Sequence, residues 1–149
     1  MDDEFLKIGL EKYGRAKALL DGFSQEILKA IVRAVREAKL SKIVVASTTV
    51  RDGEAKHGRE HVRWIIFQIG DGPNKGKDLE LGVSWDPELD HRPRVYAAVR
   101  DLLLPTAPQE LVPIHYAQKR TYISVDPRDD GWDIAKAVTR LLRALDGLL

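Results

Sequence analysis

The 149-residue sequence has no cysteine, which excludes disulfides, a thiolate nucleophile and cysteine-held zinc together. It has no apolar run near the roughly 20 residues that a membrane-spanning helix needs. It also lacks an excess of charge of one sign. Its 24 Lys and Arg stand against 23 Asp and Glu, so no global field steers it to DNA or to an acidic lipid surface. Gly53, Gly58, Gly70, Gly72 and Gly76 form neither GxxxxGKS/T nor a GxGxxG that opens a helix, and no GxSxG elbow occurs. Nucleotide binding by a glycine-rich loop therefore has no support, nor has a serine nucleophile of that kind. The acidic opening MDDEFLKIGLEK is unlike the basic-then-apolar layout of a secretory signal. The expectation is a cytoplasmic protein with no cofactor and no membrane contact.

The composition that remains, 44% hydrophobic and 32% charged, is that of a globular chain with one core. It predicts a single α+β domain over residues 1–149. The organising stretch is Leu79 to Asp90, where Leu79, Leu81, Val83 and Trp85 alternate with Glu80, Gly82, Ser84 and Asp86. That is the period of a strand with one covered face, and Pro87, with no amide hydrogen, ends it. Forty residues on, Ser124, Asp126, Pro127 and Asp130 repeat Ser84, Asp86, Pro87 and Asp90. The echo predicts two strands leaving a sheet through Asp-Pro, each followed by a helix. Convergent turn chemistry is the simpler account of it.

Around this stretch, Phe5, Ile8, Tyr13, Ala16, Leu19 and Leu20 recur at helical spacing, and after Ser24, which can cap a new start, Ile27, Leu28, Ile31, Val32, Val35 and Ala38 make a second apolar stripe. Asp21 and Gly22 lie between, so the N-terminal helix is long or broken there. Its apolar face is expected to pack on a sheet of the same chain, a partner helix being the less common occupant. Lys42 to Val50 reads as a strand, Arg51 to Glu60 as a solvated loop, and His61 to Gly70 as a strand apolar on both faces. Asp71 to Lys77 reads as the turn of a hairpin. Pro93 to Leu104 reads as a middle helix. Leu111 to Tyr116 and Arg120 to Asp126 are strands, and a C-terminal helix starts near Asp130. The fold class is an antiparallel sheet of four to five strands, with a three-strand meander first, packed by N-terminal, middle and C-terminal helices.

Few side chains suggest chemistry. Arg51, Lys56, Arg59 and Arg63 flank a hairpin beside Trp64, a pattern that can hold a phosphate backbone, although Asp52, Glu54 and Glu60 dilute its charge. Asp86 and Asp126 would pair if the two strand ends met. His57 and His61 are four apart, but the glycine beside them and the strand that follows argue against a helical metal pair.

The element order resembles that of restriction-endonuclease-like nucleases. Their pattern places an acidic residue on the second strand, then an acidic residue, a spacer and a lysine on the third. Here the second strand offers Gln68, and Glu80 is followed two places on by Gly82, so the resemblance implies at most an inactive relative. The expected function is a non-catalytic cytosolic binding or accessory module acting through protein contacts, with a protein partner or a second copy. A nucleic-acid-binding domain using residues 51–64 is the alternative.

Overall fold

In the computed structural model, residues 3–41, 43–57, 60–85, 93–99, 112–116 and 120–148 are described. Helical spacing runs unbroken from Asp3, and the chain forms a single helix, α1 (Asp3–Glu37), through Asp21 and Gly22. A lone glycine inside a helix costs only about 1 kcal/mol relative to alanine. Positions 6, 13, 20, 27 and 34 are all apolar and share one heptad position across it, so nothing forces a turn.

Six strands follow: β1 (Val44–His57), β2 (Glu60–Asp71), β3 (Asp78–Trp85), β4 (Arg94–Val99), β5 (Val112–Tyr116) and β6 (Arg120–Val125). They form one sheet in the order β1-β2-β3-β4-β6-β5, with every neighbouring pair antiparallel. A 3-10 turn at Pro127–Asp130 leads to α2 (Ile134–Leu148). The expected turn between β2 and β3 forms, with Gly72 and Gly76 both at positive φ.

Two expectations are corrected. The charged stretch from Arg51 to His57 is not a loop; it continues β1 and pairs in register with β2, from Arg51 opposite Ile66 to His57 opposite Glu60. β1 is an edge strand, and edge strands carry charge where it discourages further pairing, so their composition overlaps that of loops. The segment expected as a middle helix contains β4 instead, flanked by β3 and β6. Val95, Ala97 and Val99 enter the core under the helices, while Tyr96 and Ala98 are buried on the other face. A short run buried on both faces carries neither period cleanly. Among the described residues there are thus two α-helices and six strands.

The forty-residue echo survives only as far as the strands. β3 and β6 lie on either side of β4 and run in the same direction, which puts Trp85 and Val125 at one end of the sheet. β3 is then followed in the chain by a strand, and β6 by the 3-10 turn and α2.

One face of the sheet is covered by α2 and by the C-terminal half of α1. Their side chains interlock with Ile65, Phe67, Leu79, Leu81, Val95, Ile123 and Val125. Across the opposite face, register places Gly53, Trp64, Gly82, Tyr96, Ser124 and Val112 in one transverse row. Both glycines are needed for close approach. A Cβ on Gly82 would lie 2.6 Å from the Tyr96 ring and 2.7 Å from the Arg63 carbonyl oxygen, and one on Gly53 would strike the Trp64 indole. Trp64 itself is half-buried, on the strand next to the edge.

Candidate functional site: the uncovered half of α1

The helix that anchors the sheet is covered along only part of its length. From Ser24 to Val35, the residues Ser24, Ile27, Ile31, Ala34 and Val35 are buried. Towards the N-terminus, Phe5, Leu6, Ile8, Leu10, Tyr13, Leu19 and Phe23 are exposed, Leu10 at 71% and Leu19 at 75%. The change falls at Phe23, whose ring meets Trp85 edge-on at 5.7 Å, while Trp85 stacks on His61 at 5.9 Å. N-terminal to that contact, 20 residues of helix extend about 30 Å.

Propensity does not explain this arm. It contains Gly9, Gly14 and Gly22, each with open space where a Cβ would stand, and each weakens an uncovered helix. Isolated helices of this length are marginal in water unless an apolar face is packed. Its charges balance, Asp3, Glu4, Glu11 and Asp21 against Lys7, Lys12, Arg15 and Lys17. Lys17 lies 3.9 Å from Asp21 in an exposed ion pair. Nothing in the arm is arranged for acid-base or metal chemistry; what it offers is exposed apolar surface.

The basic residues singled out in the sequence do not form one patch. Arg51 is exposed opposite Ile66, on the face away from the helices. Arg63 is turned to the helix-covered face and is buried. There its guanidinium lies 3.5 Å from both Asp52 and Glu54, and its Nε has no hydrogen-bond partner. The backbone of Lys56 pairs with His61 in β1, and Arg59 lies outside the described residues.

Asp86 also lies outside the described residues. Asp126 is the cap of the 3-10 turn and accepts hydrogen bonds from the Arg128 backbone N–H at 2.9 Å and from its Nη2 at 2.7 Å. The Arg128 side-chain hydrogen bonds hold its carboxyl below the usual 3.8, against burial, which pushes the other way. The Arg128 amide and the charges of Arg128 and Arg94 add to the lowering. Asp130, expected to cap the last helix, instead binds Arg140 at 2.8 Å. The cap of α2 is Asp133, which accepts from the Lys136 N–H at 3.2 Å. These carboxylates serve turns and helix starts. Arg140 and Asp130 line an open groove of about 930 Å³ between α1 and α2, with Arg33, Glu37, Asp133 and Lys136. Among the described residues, no group of three or more His, Asp or Glu side chains could hold a metal ion.

Sequence reasoning did not single out Asp146. It is buried near the C-terminus of α2. It accepts from the Ser41 N–H at 3.0 Å, the Ser41 hydroxyl at 2.7 Å and the Ile43 N–H at 2.8 Å. It thereby fixes the chain that leaves α1 for β1. The available signal was an acidic residue within the apolar tail LLRALDGLL, at a helix end where the macrodipole disfavours it. Comparison of the chain with protein-family models, curated proteins and solved structures found no match.

Proposed function

We propose that this protein is a non-catalytic, cytoplasmic protein-binding module whose uncovered half of α1 lies against another polypeptide. The observation that carries the reading is the contrast along one helix. Leu6, Leu10 and Tyr13 share the heptad positions of the buried Ile27, Ile31 and Ala34, yet they stand in water with Phe5, Ile8 and Leu19. An extended exposed apolar surface marks an interaction site, and amphipathic helices are commonly recognised through anchors at helical spacing. Lipid is the poorer occupant, because a helix lying on an anionic membrane carries a strongly basic polar face, whereas Glu4, Glu11 and Asp21 share this one with Lys7 and Arg15. Nucleic acid is poorer still, since Arg51 and Arg63 face opposite sides of the sheet.

The test is a photo-crosslinking residue placed at position 10 in the expressing cell, with position 68, exposed on β2, as the control. The expected result is an adduct to polypeptide from position 10 only, abolished by Tyr13→Asp. An adduct to nucleic acid, or no adduct from the arm, overturns the reading.

A further inference from the structure

We infer that the polypeptide covering the arm is a second copy of this chain, paired with it as an antiparallel two-helix seam. This rests on the arm being a protein-binding surface and names its occupant.

The arm carries its own complement. In heptad terms, Leu6, Tyr13 and Leu20 occupy one seam position, and Gly9, Ala16 and Phe23 the other. In the arm one position is thus large and the other small until Phe23, which is engaged by Trp85. Two such stripes run in the same direction would set large against large in one layer and leave a gap in the next. Run antiparallel, with residue numbers across the seam adding to about 22, Tyr13 of each copy meets Gly9 of the other, and Leu6 meets position 16. Gly9 has nothing within 4 Å of its missing side chain, so the Tyr13 ring has room there. This is the knob-into-hole complementarity that close helix pairs require.

The flanking positions fit the same register. Phe5 meets Leu19 of the other copy, Leu10 meets its own counterpart across the two-fold axis, and Asp3 meets Lys17, which supplies charge complementarity at both ends. One unfavourable contact remains. Lys12 falls opposite Lys12, where the two stems can lie along the seam with the ammonium groups turned to water. The pairing also stops where it should, because position 3 lies level with position 19 of the other arm, short of the Phe23 contact with the body.

The area is sufficient. At roughly 100 Å² exposed per residue, Phe5, Leu6, Leu10, Tyr13 and Leu19 from two copies bring together on the order of 1,000 Å². The stems of Lys12 and Lys17 carry the total into the range of about 1,200–2,000 Å² that stable interfaces bury.

The absence of cysteine makes the register directly testable in the full chain. The wild type should sediment as a dimer at micromolar concentration. Tyr13→Asp should weaken the dimer by roughly tenfold or more, with the body's unfolding midpoint unchanged. Under mild oxidation Leu10→Cys should cross-link to itself and Leu6→Cys should not, while Phe5→Cys mixed with Leu19→Cys should form the mixed disulfide. Self-linking at Leu6→Cys as readily as at Leu10→Cys indicates parallel pairing and overturns the inference. A wild-type monomer at tens of micromolar overturns it as well; if the photo-crosslink at position 10 then still reaches polypeptide, the broader reading stands and only the second copy is wrong.

Discussion

Leu10 and Ile31 are aliphatic residues on one helix and, being three heptads apart, share a heptad position. Yet Ile31 is fully buried beneath the sheet, and Leu10 is 71% exposed. The difference lies in what stands opposite: Ile31 belongs to the cluster built by β2, β3, β4, β6 and α2, whereas the body ends at the Phe23 contact with Trp85. A hydrophobic stripe therefore specifies a face that needs cover and is silent on whether its own chain supplies it. In the covered half that heptad position is part of the core, and in the uncovered half the same position stands in water.

The sharpest way to break this comparison is to truncate both residues. Ile31→Ala removes buried methylenes from a packed cluster and should cost about 2–5 kcal/mol. Leu10→Ala, measured below the concentration at which the chain self-associates, should stay within about 0.5 kcal/mol. Denaturant midpoints at matched dilution check both. A loss at Leu10 comparable to that at Ile31 would mean that the arm folds back onto its own body.

A smaller effect tests what holds the covered half in place. Asp146 accepts from two backbone amides and a hydroxyl at the exit from α1. Asp146→Ala would leave the Ile43 N–H buried without that acceptor, a loss of about 1–3 kcal/mol. Amide exchange should accelerate at Ile43 and along the α1–β1 connection, while the amides of residues 3–22 keep their wild-type rates. If the arm exchanges faster as well, the two halves of α1 are one cooperative unit and the comparison loses its force.

These regions also mark how far the sequence could be read. The first helix, β2, β3 and the turn between them were legible because period and turn chemistry are local signals. The strand at Arg94–Val99 was not. Val95, Tyr96 and Val99 satisfy helical spacing, and the fact that decides between the two periods, burial on both faces between β3 and β6, is not local. Arg51 to His57 misled in the opposite sense, because an edge strand that repels further pairing is written in the same charged residues as a loop. At the candidate site, the residues of the arm were visible as an amphipathic face, but their exposure depends on where the sheet ends. Asp126 was legible as a turn residue, since the Asp-Pro exit is a local device. Arg63 read as part of a basic surface, and only the register of β1 against β2 shows that it faces the helices beside Asp52 and Glu54.

The smallest expected effect lies at the exit of β6, and pH isolates it. Arg128 holds the Asp126 carboxyl below its ordinary 3.8, mainly through side-chain hydrogen bonds. A depressed carboxyl pKa means that the folded state favours the charged form. The contribution is therefore complete above the unfolded value and is lost as pH falls through the lower folded one. Asp126→Asn keeps an acceptor for the Arg128 N–H and removes the charge, so at neutral pH it should cost less than about 1 kcal/mol. That gap between wild type and variant should hold down to about pH 4 and close as the solution is acidified further. Thermal midpoints at about pH 6 and at about pH 2.5, with the arm disabled by Tyr13→Asp in both backgrounds, measure the gap without interference from association. A variant more stable than wild type at neutral pH would instead signal a carboxylate held against repulsion, as in a functional site, and the turn would no longer account for Asp126.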